Sequence, residues 1–180
     1  DLWFYDHVDI TFRGYSYPVL VVIDAATNLL MIGCQQNKKE SNTCEALKII
    51  WATWNIRPRA VCADDFFMTS SWKRWYKYHG IKWIPLGPHR PWPNRAEAGV
   101  RQFSMTAKTY LESITAYESQ EPGLRTVTMN CLMLDAAAAR NMNLTYGGVT
   151  PLELATGRRP PDIIEPENMT IQQMTSDTPE

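Results

Sequence analysis

The sequence predicts one α/β domain built on a mixed five-stranded sheet with helices on both sides. Three observations predict this fold. Residues 3–34 contain three strand-like segments joined by short links, and short links imply antiparallel pairing. The next fifty residues alternate strand and helix, which is typical of parallel strands with right-handed crossovers. The chain of 180 residues, 44% of them hydrophobic, has the size of a single domain.

The antiparallel half is predicted as strands over residues 3–12, 17–24 and 29–34. Arg13-Gly14 separates the first two strands, and Thr27-Asn28 separates the second from the third. The run from Pro18 to Ile23 is continuously apolar instead of alternating. Such a run is expected of a strand covered on both faces, so helices should pack on both sides of the sheet.

The second half is predicted as helix 41–54, strand 59–63, helix 69–79 and strand 81–84. Asn42 and Glu45 have the spacing of a capping box at the first helix. In the second helix Trp72, Trp75 and Tyr76 share one side, which favours a core position over a stacking platform for nucleic acid.

The proline-rich stretch 85–94 is predicted to be a loop, followed by a long helix over residues 95–116 and another over 127–141. A short helix is expected after Thr150-Pro151. We predict a core domain over residues 1–159 and an acidic, proline-containing linker or tail over 160–180.

Composition excludes several classes of protein. No apolar run approaches the roughly 18 residues that a membrane span needs, and no secretory signal is visible, so we expect a protein that is neither membrane-bound nor secreted. The four cysteines have no C-x-x-C spacing, which favours reduced thiols over a zinc site. The segment from Lys73 to Arg101 contains seven basic residues and one acidic residue. The rest of the chain therefore has 18 − 7 = 11 basic and 19 − 1 = 18 acidic residues. This basic region indicates either a nucleic-acid contact or a solvated helix face.

Three acids are candidates for catalysis. Asp9 lies inside the first strand, Asp64 directly follows a short apolar strand, and Glu97 lies in the first turn of the long helix. Converging carboxylates repel one another unless divalent cations supply counter-charge, and Mg²⁺ prefers such oxygen ligands. Two ions about 4 Å apart are suited to in-line displacement at phosphorus. The structural alternatives are that Asp64 caps a turn, Glu97 favours a helix end and Asp9 faces solvent on an edge strand.

Several segments, in this order, resemble the integrase catalytic core of retroviruses and long-terminal-repeat retrotransposons. The segments are Val8-Asp9, Val22-Ile23-Asp24-Ala25, residues 60–65 (AVCADD), His79-Gly80-Ile81, residues 91–97 (PWPNRAE) and residues 150–160 (TPLELATGRRP). The resemblance implies an RNase H-like fold, and it implies Asp9, Asp64 and Glu97 as catalytic metal ligands for Mg²⁺, with Mn²⁺ as a substitute and two ions in the site.

This sequence departs from the family pattern at two places. The usual Asp-Asn-Gly at the second acid is Asp64-Asp65-Phe66 here, and the Asn-Gly before the glutamate is Asn94-Arg95. The separation of 97 − 64 = 33 positions is slightly shorter than in the family. Asp64 and Asp65 therefore both remain candidates, and Asp64 is preferred because it directly follows the strand.

The resemblance implies metal-dependent processing of DNA 3′ ends and strand transfer by a polynucleotidyl transferase. It implies element and target DNA as partners, a homo-oligomer, other domains of a Pol-type polyprotein, and a location in the nucleus or a cytoplasmic particle. Basic, polar and aromatic residues around Glu97 are the candidate DNA contacts: His89, Arg90, Trp92, Arg95, Arg101, Ser104 and Lys108.

Two alternatives stay open. Another RNase H-like nuclease would share the acids but hydrolyse RNA in hybrids, although the segment before Glu97 favours an integrase. A catalytically silent remnant of a transposable element would bind nucleic acid or protein without needing the acids.

Overall fold

The computed structural model describes residues 2–85, 95–120 and 128–158. The strands are β1 (Leu2–Phe12), β2 (Tyr15–Asp24), β3 (Leu30–Cys34), β4 (Ala60–Ala63) and β5 (Lys82–Pro85). The helices are α1 (Glu40–Trp54), α2 (Ser70–Tyr78), α3 (Arg95–Gln120), α4 (Met129–Asn143) and α5 (Pro151–Thr156), and a 3₁₀ turn (Asp65–Met68) precedes α2. Within these described ranges, no helix combines the length and apolarity needed to cross a membrane.

The five strands form one sheet in the order β3-β2-β1-β4-β5. β1 and β3 both pair antiparallel with β2, while β4 pairs parallel with β1 and with β5. Arg13 and Gly14 link β1 to β2, and both have positive φ, 50° and 79°, as the tight turn of a twisted hairpin needs. The predicted mixed sheet is confirmed, with its first three strands antiparallel and its last two parallel.

The core consists of two clusters, one on each face of the sheet. Trp3 and Tyr5 of β1 pack with α1 and α2, whereas Phe4 and Ile10 of the same strand pack with α3 and α4. Residues 19–23 of β2 are completely buried and contribute alternately to both clusters, as their continuous apolarity predicts. Trp72 and Tyr76 are also fully buried and Trp75 packs against them, which confirms the predicted core role of these aromatic residues.

Two glycines let helices approach the sheet closely. A Cβ at Gly99 in α3 would lie 2.5 Å from Ile23 Cδ1 of β2, and one at Gly33 in β3 would lie 2.7 Å from Ala46 Cβ of α1. Both distances are shorter than a van der Waals contact. Because Gly99 follows Glu97 by two positions, the close approach of α3 to β2 also fixes where Glu97 stands relative to the sheet.

Side chains of α4 cover the open edge of β3. The Asn141 side chain accepts a hydrogen bond from Leu30 N at 3.0 Å and donates one to Leu30 O at 2.7 Å. Arg140 donates to Asn28 O and to Gln102 Oε1. The backbone groups of Leu30 thus find on α4 the partners that a sixth strand would otherwise provide.

Some predicted boundaries are wrong. α1 begins at Glu40, and its N-cap Lys39 makes no side-chain cap bond, so Asn42 and Glu45 lie inside the helix and do not form the predicted capping box. Asn42 donates instead to Asn37 Oδ1 at 3.0 Å. The helix at 95 continues to Gln120, beyond the predicted end at 116. The rest of the predicted 85–94 loop after Pro85, and the tail from 160, lie outside the described residues.

Candidate functional site

Two aspartates meet where the parallel strands β1 and β4 run side by side. Tyr5 is the last β1 residue paired with β4, and its partner is Ala63. Asp6 is the next residue of β1, and Asp64 directly follows β4. Because adjacent parallel strands run in register, these aspartates lie beside each other at the carboxyl end of β4.

Asp64 is held by the turn that follows it. Its side chain accepts a hydrogen bond from Phe66 N at 3.1 Å and caps the 3₁₀ turn, so the capping alternative describes a real contact. The carboxylate is nevertheless exposed and keeps further lone pairs for other partners. Asp65 is also exposed but is the first residue of the turn itself, one position further from the strand pair.

Glu97 approaches the same place from the long helix. It lies exposed in the first turn of α3, and α3 packs on the sheet face that carries Phe4. The charges of Asp64 and Glu97 both act on Asp6. Burial raises the pKa of Asp6 most, and the negative charges of Asp64 and Glu97 raise it further, while a hydrogen bond from His7 N at 2.7 Å opposes the shift. The structure thus brings both Asp64 and Glu97 within electrostatic range of Asp6.

Asp9 stands apart from this group. Side chains alternate between the two faces of a strand, so Asp6 shares a face with Phe4 and Ile10, while Asp9 shares the opposite face with Tyr5. Asp9 Oδ2 accepts a hydrogen bond from Lys38 Nζ at 2.6 Å, and both side chains are partly exposed. The predicted first acid is therefore engaged in an ion pair on the α1 side of β1.

His7 follows Asp6 in β1, and its side chain contacts α1 and the 3₁₀ turn after Asp64. Its ring stacks on Phe67 at 5.0 Å, meets Phe66 edge-on at 4.9 Å and approaches Thr43 Oγ1 with Nε2 at 3.2 Å. Burial, reinforced by the charge of Lys38, lowers the pKa of His7 to about 4. A neutral imidazole thus anchors the turn after Asp64 to the strand that carries Asp6.

Among the described residues, no group of three or more His, Cys, Asp or Glu side chains is already arranged to hold a metal ion. The donor set around Asp6 is nonetheless composed of carboxylate oxygens, which suit a hard cation such as Mg²⁺ rather than zinc or copper.

No protein-family model matches the sequence, and no curated protein sequence matches it significantly. Solved structures do match. The HTLV-2 integrase catalytic core domain, in complex with magnesium in a dimeric form, superposes with a TM-score of 0.66 at 14% identity, over 86% of this chain and 94% of that one. The chain has the fold of a retroviral integrase catalytic core. The BIV integrase catalytic core domain gives a TM-score of 0.59 at 16% identity, over 86% and 92% of the two chains.

A larger assembly extends the comparison. A chain of the simian T-cell lymphotropic virus intasome, bound to a PP2A regulatory subunit, matches with a TM-score of 0.70 at 17% identity. The match covers 94% of this chain and 59% of that one. At these identities the likeness establishes the integrase-core fold alone.

The candidate DNA contacts take different positions on this integrase-type core. Arg95 Nη1 donates to Ala25 O at 2.6 Å, so it fastens the start of α3 to the end of β2. Arg101 is exposed on α3. Ser104 and Lys108 line a cleft of about 610 Å³ together with Asp9 and other residues of β1. Lys108 Nζ lies 3.8 Å from Glu112 Oε1. His89, Arg90 and Trp92 lie outside the described residues.

Sequence reasoning passed over Asp6. Strand alternation puts Asp6 on the face of Phe4 and Asp9 on the other face, but only the packing of α3 shows which face Glu97 approaches.

Proposed function

We propose that this chain is the catalytic core of an integrase that processes the 3′ ends of a linear element DNA and joins them to target DNA. Asp6, Asp64 and Glu97 are the proposed catalytic acids. The observation that carries the proposal is the adjacency of Asp6 and Asp64 at the end of the β1–β4 pair, with the charges of Asp64 and Glu97 both acting on Asp6, in a fold shared with retroviral integrase cores.

Asp6 replaces Asp9 as the first acid in this proposal. Asp6 adjoins Asp64 through the β1–β4 register and is acted on by the charges of Asp64 and Glu97, whereas Asp9 is paired with Lys38 on the other face. Asp64 remains the preferred second acid over Asp65, because it directly continues the strand that pairs with β1.

The three carboxylates fit Mg²⁺, because their mutual repulsion is relieved by a divalent cation and their oxygens are its preferred ligands. The HTLV-2 core that shares the fold is described in complex with magnesium. Bound ions, two in number in our proposal, would supply the positive charge that in-line displacement at phosphorus requires. The chain itself orients these acids: Asp64 through the turn that it caps, Asp6 through its strand register, and Glu97 through the close packing of α3.

The partners follow from the same proposal. Element and target DNA are the substrates, and the chain acts as a homo-oligomer within a larger Pol-type product, in the nucleus or in a cytoplasmic particle. The dimeric and trimeric forms of the HTLV-2 core and the intasome of the simian virus support an oligomeric, DNA-bound state.

The test uses a branched DNA that mimics the joined product, because reversal of strand transfer requires least from other domains. The purified chain is assayed in Mg²⁺ or Mn²⁺ as wild type and with each acid neutralised in turn: Asp6→Asn, Asp9→Asn, Asp64→Asn, Asp65→Asn and Glu97→Gln. Loss of one catalytic acid should lower the rate by roughly a hundredfold or more, because the metal contributes several kcal/mol of transition-state stabilisation.

We expect metal-dependent activity that is lost at positions 6, 64 and 97 and retained at 9 and 65. Loss at 9 with retention at 6 would restore the acid first predicted from the sequence. A folded wild-type chain that neither joins DNA nor binds either metal would refute the proposal in favour of a silent remnant. Cleavage of RNA in hybrids without joining would identify a nuclease instead.

A further inference from the structure

Lys38 lies next to the carboxylate site in a fixed position. It belongs to the segment between β3 and α1, which is tied to β2 by the hydrogen bond from Gln35 N to Pro18 O at 3.0 Å. The preceding residue, Asn37, accepts hydrogen bonds at 3.0 Å from Lys39 N and from Asn42 Nδ2. The backbone around Lys38 is therefore held independently of its side chain.

The ammonium group of Lys38 is held by Asp9. Lys38 Nζ donates to Asp9 Oδ2 at 2.6 Å, and 39% of the Lys38 side chain stays exposed to solvent. The charge of Lys38 also lowers the pKa of Asp6 against the larger effect of burial, and it contributes to the lowered pKa of His7. The ammonium thus stands within electrostatic range of a proposed catalytic carboxylate while remaining accessible from solvent.

The ion pair can exchange partners. An exposed Lys–Asp pair contributes little to stability, because both charges are solvated and screened. A phosphate oxygen is an equally suitable acceptor for an ammonium group. The consecutive residues Asp9–Arg13 at the end of β1 line the cleft that holds Ser104 and Lys108, so the Lys38–Asp9 pair stands beside one wall of that cleft.

We propose that Lys38 is a substrate-positioning residue that exchanges Asp9 for a DNA phosphate next to the catalytic carboxylates, and that Asp9 holds the ammonium there until DNA binds. This inference rests on the proposed function, and it gives Asp9 a role that needs no metal.

The experiment measures binding of a fluorescent linear duplex in EDTA by anisotropy, at salt concentrations from about 50 to 200 mM, where phosphate contacts dominate the salt dependence. Lys38→Ala should lower the magnitude of the slope of log K against log salt by about 0.9, the value for one phosphate contact. Lys38→Arg should keep the wild-type slope. Asp9→Asn should also keep it, because the amide oxygen still accepts from Nζ. Lys48→Ala is the matched control, since Lys48 is an exposed lysine on α1 whose charge acts on Cys44 and His79.

The outcomes separate this inference from the proposed function. An unchanged slope in Lys38→Ala, or an equal decrease in Lys48→Ala, overturns the role of Lys38 even if the wild type joins DNA. A slope that falls only in Lys38→Ala supports it, whether or not the chain completes strand transfer. A wild type that binds no duplex refutes both. Thermal unfolding of each variant, expected to match wild type, shows that the slope reports binding and not misfolding.

Discussion

Replacement of Asn141 by alanine tests how the fold closes the edge of its sheet. Asn141 is 4% exposed, and its side chain supplies both hydrogen-bond partners of the Leu30 backbone. Alanine keeps helix α4 intact, since it is the best helix former, but removes both partners at once. The change therefore removes the Asn141 contacts between α4 and β3, together with the acceptor that Asn141 Oδ1 gives Arg140 Nη1 at 3.2 Å.

The magnitude follows from these two bonds. Each contributes about 0.5–1.5 kcal/mol net, and a buried backbone group left without a partner costs about 1–3 kcal/mol. A cleft of about 420 Å³, lined by Leu30 and Asn141, lets water reach part of this edge and replace some of the loss. We therefore expect the free energy of unfolding to fall by about 2–4 kcal/mol, which for a chain of this size corresponds to about 4–16 °C in Tm.

Urea denaturation and thermal unfolding of wild type and Asn141→Ala measure this loss. Asn143→Ala is the control, because Asn143 is exposed on the same helix and donates only to Ala139 O of its own turn, so its change should stay within about 0.5 kcal/mol. Equal stabilities of the two variants would refute the reasoning, since they would mean that the Leu30 contacts contribute nothing beyond a surface bond.

Three further predictions concern packing, thiol chemistry and the carboxylates. Gly33→Ala should cost about 1–3 kcal/mol, because its Cβ would lie 2.7 Å from Ala46 Cβ, and a double-mutant cycle with Ala46→Gly in urea should show a favourable coupling of about 1 kcal/mol. Burial raises the pKa of Cys44 to about 11, so its alkylation rate, followed by mass spectrometry, should climb about tenfold per pH unit between pH 8 and 10, and a flat profile would contradict the assignment. Because the folded-state pKa of Asp6 is raised, the stability that it contributes is present in acid and is lost as the pH rises through that pKa. At neutral pH in EDTA, Asp6→Asn should therefore unfold at the same or a higher temperature than wild type, and the rise in Tm that Mg²⁺ gives the wild type should be smaller in this variant.

The sheet and its covering helices could be predicted from the sequence because their signals are local. A two-residue link such as Arg13-Gly14 is typical of a β-hairpin. The unbroken apolar run of β2 requires that both faces of the strand be covered. The aromatic side of α2 is likewise a matter of helical period, and its buried residues lie where that period puts them.

The third acid could be decided only by the tertiary structure. Asp6 and Asp9 lie three positions apart on one strand, an odd separation, so they point to opposite faces, and nothing nearby in sequence indicates which face meets Glu97. The choice depends on the pairing of β1 with β4, whose residues are 58 positions apart at Tyr5 and Ala63 (63 − 5), and on the packing of α3 against β2 at Gly99. Asn141 and Leu30 are 111 positions apart, so their contact is equally absent from any local pattern. The sequence by itself predicted most of the secondary structure and suggested two of the proposed acids through periodicity and position, whereas the partners of Asp6, Asp9 and Leu30 arise from long-range packing, which no short-range pattern encodes.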